Sequence, residues 1–194
     1  MASSEYTIPM PPWIKTELEN LPTVYPTLEE RMRQVIKFSQ HNIDHKTGGP
    51  FAAAVFEEET GKLVSMGVNR VMPLNCSSLH AEIVALTLAQ LKLQTYDLGG
   101  PGQPCHQLVV NWRPCVMCYG AVIWSGIKSL VIAGSGSELE EITGFDEGPM
   151  NSDWKNELEG RGIHVVDDLL TGDAVRVFQS FKSRNMHVYN SREG

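Results

Sequence analysis

The stretch Asn111–Gly120, NWRPCVMCYG, sets two cysteines three apart directly behind a proline, in a 194-residue chain that holds only four cysteines. Just before it, HQLVVN (106–111) is a short, mostly apolar run, the pattern of a buried strand. From Cys115 onward, CVMCYGAVIWSG is long enough for a helix, and Pro114 stands at its start, where a missing N–H costs little. Cys115 and Cys118 then share one face of a first helical turn. Free N–H groups and the helix dipole favour thiolates there, so the pair reads as half of a soft-metal clamp.

The other half lies upstream, in LHAEI (79–83). His80 and Glu82 open a second helical pattern, Ala81 to Leu93, with Val84, Ala85 and Leu88 on its apolar stripe. His80 can supply a nitrogen beside the two sulfurs. Three protein ligands leave a fourth zinc position for water, which is the catalytic arrangement, whereas structural zinc is closed by four. Glu82 is then placed to exchange protons with that water.

Around these two helix starts the chain alternates elements. Thr27 and Glu30 make a capping box for a first helix running to about Gln40, with Met32, Val35 and Ile36 on its apolar stripe. FAAAVFEE and KLVSMGVN, joined by ETG, read as a β-hairpin. SLVIAG reads as a further strand, and NSDWKNELEGRG, IHVVDD and TGDAVRVFQSFKS as helix, strand and helix. This order predicts an α/β fold of three layers, α/β/α, around a mixed central sheet of about five strands whose later members are parallel. Chemistry is expected at the carboxyl edge, where strands hand over to helix N-termini. No linker divides residues 1–194. A proline-rich stretch, 1–26, reads as an N-terminal surface arm pinned by Trp13 and Ile14, and 187–194 as a C-terminal tail.

Composition excludes some classes of function. No apolar run approaches the ~20 residues of a membrane span, and no signal sequence is visible, so a cytoplasmic, non-membrane protein is expected. Free thiols suit that reducing compartment. The formal net charge is −7, and no basic patch stands out, so a nucleic-acid partner is not expected.

His80-Ala81-Glu82 followed by Pro114-Cys115-Val116-Met117-Cys118 resembles the H-x-E…P-C-x-x-C signature of the zinc-dependent cytidine and nucleobase deaminase superfamily. GGPFAAAV resembles that family's strand entry, and Asn69, at the hairpin end, resembles its substrate-binding asparagine. The order of elements fits from about Leu28 to Asp146. ITGFDEGP resembles the guanine deaminase branch, which carries acids there. The resemblance implies a cytidine-deaminase-like fold, zinc on His80, Cys115 and Cys118, Glu82 as proton carrier, and Glu147, with Asp146 beside it, facing the donor edge of guanine. It implies a substrate pocket formed with Asn69, Phe51, Ala81, Trp112 and Tyr189. Guanine would become xanthine and ammonia, with amino-triazines such as ammeline as side substrates. A homodimer is implied, with the C-terminal segment covering the pocket or exchanged between subunits. One departure stands beside the motif: Arg113 occupies a place where this branch carries glutamate.

Alternatives remain at this level. The same motif serves tRNA adenosine deaminases and cytosine or nucleoside deaminases. A non-catalytic structural zinc module, closed by Cys76 or Cys105, has no use for Glu82. Phe51 and Trp112 are also plain candidates for the core, Asn69 for a turn, and Asp146 and Glu147 for loop charges.

Overall fold

The computed structural model describes residues 7–190. Its five-stranded sheet comprises β1 (Ala52–Glu57), β2 (Leu63–Val68), β3 (His106–Val110), β4 (Ser129–Ile132) and β5 (His164–Val166), in the order β2-β1-β3-β4-β5. β1 is antiparallel to both β2 and β3, whereas β3, β4 and β5 are parallel. The mixed sheet of the sequence reading is therefore present. Its antiparallel part is the hairpin, and its parallel part needs helical crossovers.

Side chains alternate along the strands and divide the core in two. Ala52, Ala54 and Phe56 face one layer together with Met32, Val35 and Phe38 of α2 (Leu28–Asp44) and Val177, Phe178 and Phe181 of α8 (Thr171–Ser183). Ala53 and Val55 face the other, with Ala81, Ala85 and Ala89 of α4 (Ala81–Leu93), Val122 of α5 (Val116–Ser125) and Trp154 of α7 (Trp154–Glu159). The small alanines on β1 and α4 let helix and strand approach closely. α6 (Glu138–Thr143) packs on α8.

The capping box forms as expected, Glu30 N donating to Thr27 Oγ1 and Thr27 N to the Glu30 carboxylate, but α2 runs one turn beyond Gln40, to Asp44. The expected N-terminal arm contains a helix, α1 (Pro12–Asn20). Proline at its first position is pre-set for a helix start, and a residue pattern of two prolines before a short amphipathic run hides that helix from a reading keyed to breakers. Ile14 is buried, and Trp13 donates to Thr47 Oγ1 at 2.9 Å and stacks on His45, so both pins hold. A four-residue helix, α3 (Val71–Leu74), was not anticipated. Residues 1–6 of the arm and 191–194 of the tail lie outside the described residues.

Candidate metal centre and substrate cavity

The topology brings the functional segments to one end of the sheet. β3 ends at Val110, and its antiparallel neighbour β1 begins there, after Phe51. β2, antiparallel to β1, ends there too, at Val68, with Asn69 next in the chain. Asn111 ties this edge together: its Oδ1 accepts from Ala52 N and its Nδ2 donates to the Pro50 carbonyl, both at 2.9 Å. A polar residue wholly buried at a strand end is thereby satisfied, and it fixes the start of NWRPCVMC.

His80 is the N-cap residue of α4, and Cys115 is the N-cap residue of α5. Each therefore sits at the positive end of its helix, and Cys118 follows one turn into α5. His80 Nδ1 lies 3.5 Å from Cys115 Sγ, and the ligand atoms of His80, Cys115 and Cys118 all lie within 4.8 Å of one another. Tetrahedral zinc, with Zn–S of about 2.3 Å and Zn–N of about 2.0 Å, asks for ligand separations of roughly 3.5–3.8 Å. Small side-chain adjustments reach that, so the cluster fits zinc. Among the described residues no fourth such ligand joins it. Cys76 is turned toward Ser78 Oγ at 3.3 Å, and Cys105 is exposed, so the closed structural site finds no support.

The charges of the cluster are strongly coupled. Cys115 is held as a thiolate, its pKa lowered to about 4 by the Cys118 hydrogen bond, against burial, and by His80. Cys118 is pushed upward by that same hydrogen bond and by burial. For His80, burial acts downward, but the Cys115 thiolate and the nearby acids raise it to about 9. Glu82, 6% exposed, is raised to about 7 by burial and by the Cys115 charge.

A cavity of about 500 Å³ opens above the cluster, lined by His80, Glu82, Cys115, Phe51, Asn69 and Glu147 among others. Asn69 Oδ1 accepts from Gly49 N and Val71 N, while its Nδ2 has no partner among the described residues. The residue is thus locked in place with a donor to spare. Gly48 makes this possible: a Cβ there would fall 1.9 Å from the Asn69 carbonyl oxygen.

The acidic pair of GFDEGP divides cleanly. Glu147 is buried, lines the cavity, and has its pKa raised to about 8 by burial and then by the Cys115 and Glu82 charges. Its carbonyl accepts from Val116 N at 3.1 Å, tying the loop to the first turn of α5. Gly148, with φ +74°, lets this loop lie on Val116, since a Cβ would come 2.6 Å from Val116 Cγ1. Asp146 is exposed, its Oδ1 accepting from Gly148 N at 2.8 Å. It shapes the turn at the rim.

The remaining expected residues fall as follows. Phe51 is half-buried on the wall, edge-on to Phe145. Trp112 reaches the wall but is 2% exposed, edge-on to Phe178 and pressed against Gly134, so it offers no free ring face for stacking. Ala81 is wholly buried and packs in the core between the two motif residues that do line the cavity. Tyr189 lines this same chain's cavity, and the strap it belongs to is fastened by Asn190. The Asn190 amide donates to the Gly144 carbonyl at 2.8 Å and accepts from Asp146 N at 2.9 Å. The sequence reading missed Asn190, whose type is common in any loop.

Known proteins resemble this chain in sequence and in fold. A solved structure of the guanine deaminase from Nitrosomonas europaea is 45% identical, with 94% of this chain and 99% of that one covered at a TM-score of 0.88. The guanine deaminase of Bacillus subtilis strain 168 is 26% identical over 155 residues, 80% of this chain and 94% of that protein. The tRNA-specific adenosine deaminase of Buchnera aphidicola subsp. Schizaphis graminum is 39% identical over 130 residues, 67% of this chain and 77% of that protein. Residues 26–134 match the family described as the cytidine and deoxycytidylate deaminase zinc-binding region, and the chain belongs to it.

Proposed function

We propose that the protein is a zinc-dependent hydrolytic deaminase of free guanine, giving xanthine and ammonia, with ammeline-like amino-triazines as side substrates. One observation carries the choice of substrate: Glu147 is a buried carboxylate on the wall of the cavity that holds the metal ligands. Guanine presents N1–H beside its 2-amino group, two donors on one edge, and a carboxylate is an acceptor-only partner. Adenine has no donor at N1. A buried acceptor left without its partner is costly, so the site rejects bases lacking that edge more strongly than any loss of apolar contact would.

Zinc held by His80, Cys115 and Cys118 would acidify a water and supply a nucleophile near neutral pH. Glu82 holds the proton to be moved. Burial raises its carboxyl above the ordinary range, the direction that suits a group that must act as base and then as acid. It takes a proton from the attacking water and gives it to the ring nitrogen beside the reacting carbon, then takes the proton of the added hydroxyl and gives it to the departing amine. Asn69 Nδ2 offers the base a donor, Phe51 flanks the ring, and Tyr189 covers the cavity.

The enzyme is expected in the cytoplasm, in keeping with its thiol ligands, and no helix among the described residues is long and apolar enough to cross a membrane. A homodimer is supported by the exposed apolar side chains of α5, Val116, Met117 and Trp124. Because Tyr189 lines its own chain's cavity, exchange of the tail between subunits is not required.

Ammonia release from guanine, guanosine, adenine, cytosine, ammeline and an adenosine-bearing anticodon stem-loop tests the assignment. Guanine should turn over fastest. Faster release from adenine, cytosine or the RNA would overturn it, the RNA outcome favouring the tRNA relatives despite the net charge of −7.

A further inference from the structure

We propose that Arg113 is a specificity-determining residue whose guanidinium reads the two-acceptor edge of the purine, O6 and N7; the inference rests on the guanine reading above. Arg113 stands between the buried Trp112 and Pro114, and its N–H donates to the Gly134 carbonyl at 2.9 Å, so its backbone is fixed between the ends of β3 and β4. Its side chain lines the cavity. Among the described residues that side chain has no hydrogen-bond or ion-pair partner, and its Nε is shut away from solvent without an acceptor. Its charge is felt by Glu147, yet no ion pair joins the two.

A half-buried guanidinium with no hydrogen-bonded partner adds little to folding, since desolvating a polar group without a partner is unfavourable. The missing partner is a ligand group in the cavity. Arginine carries only donors, in a planar fork. Of the three polar edges of guanine, N1–H with the 2-amino group presents donors, which suit Glu147. N3 with N9–H presents one acceptor and one donor. Only O6 with N7 presents two acceptors side by side, and it is the edge that an arginine fork matches in two parallel hydrogen bonds. It is also the edge farthest from C2, so reading it leaves the amine-bearing carbon directed at the metal ligands.

The test pairs a ligand atom with the residue. Guanine and 7-deazaguanine, which lacks the N7 acceptor, are compared on the zinc-loaded wild type, Arg113→Gln and Arg113→Lys, by kcat/KM and by competitive binding. The wild type should prefer guanine by about 10-fold to 100-fold, the usual effect of one hydrogen bond to a charged group. That ratio should fall to within about 3-fold in Arg113→Gln and lie between in Arg113→Lys, which keeps the charge but not the fork. Any intrinsic difference in reactivity between the two bases cancels in the comparison of ratios. A ratio unchanged in both variants overturns the proposal. So does an equal loss on both bases with a shifted pH profile, which would mean that Arg113 acts through Glu147. If guanine is inert on the wild type, the functional reading itself falls and takes this one with it.

Discussion

Replacing Glu147 by Gln should make the protein more stable and less active at once. Glu147 is 9% exposed and its pKa is raised to about 8, against an ordinary 4.5, with burial as the largest cause. A carboxyl whose folded pKa lies above its unfolded value is tolerated best below pH 4.5, where both states hold the proton. It destabilises progressively as pH rises, and the full penalty is present above about 8. Each pH unit inside that window costs about 1.4 kcal/mol, so between pH 6 and pH 9 the wild type should lose roughly 2–3 kcal/mol that Glu147→Gln keeps. Zinc would offset the Cys115 contribution, but burial acts whether or not the metal is bound. The assay is urea unfolding of both zinc-loaded proteins at pH 6, 7, 8 and 9, with kcat/KM for guanine measured alongside. Activity should fall by about 100-fold or more, the cost of losing a charged partner for two donors. Asp146→Asn, at an exposed turn, should stay within a few-fold of wild type. Equal stability of Glu147→Gln and wild type at every pH would refute the burial argument, and unchanged guanine kinetics would refute the substrate contact.

Four further outcomes follow from the site. One zinc should bind per chain, with chelation abolishing activity and Cys76→Ser leaving the metal content intact. Because His80 is raised to about 9 and Cys118 is pushed upward while Cys115 is already a thiolate, zinc binding at pH 7 should release about two protons, readable with a pH indicator in weak buffer. Glu82→Gln should keep its zinc and lose about 100-fold to 10,000-fold in kcat, and near-normal turnover with metal bound would sink the proton route. Asn190→Ala, which removes both bonds between the strap and the Gly144–Asp146 loop, should raise KM for guanine by about 5-fold to 50-fold, whereas unchanged kinetics would reduce the strap to a passive tail.

What could be read from the sequence was whatever local chemistry alone decides. Helix α4 begins and ends at Ala81 and Leu93 as its periodicity predicts, and α8 spans Thr171–Ser183 likewise. The metal triad was legible because His-x-Glu and Cys-x-x-Cys each lie within a single turn, and two helix starts at one sheet edge can meet in few ways. Trp112 was not legible in the same sense. Whether an aromatic beside a motif turns its face to a ligand or to the core depends on Phe178 and Gly134, distant in sequence, and here they enclose it. The choice between Asp146 and Glu147 was likewise closed to sequence, since adjacent acids differ only in which one the loop turns inward. Gly148 and the Val116 N–H make that decision. Helix α1 escaped because its prolines, read as breakers, stand at the position where proline starts a helix.

The acids of this cavity explain one another. Cys115, Cys118, Glu82 and Glu147 are four buried ionisable groups, three of them lining one cavity, and they cannot all carry charge there together. Without a metal, one full negative charge settles on Cys115, balanced by the His80 imidazolium, and the other three groups are pushed toward their protonated forms. A divalent cation on the triad changes that balance: two thiolates and a neutral histidine around it sum to zero, and the two carboxyls no longer face a bare thiolate. Burial acts on Glu82 and Glu147 whether or not the metal is bound. In the proposed reaction, the same enclosure that makes these groups costly to fold is what makes a proton held by Glu82 and an acceptor offered by Glu147 effective.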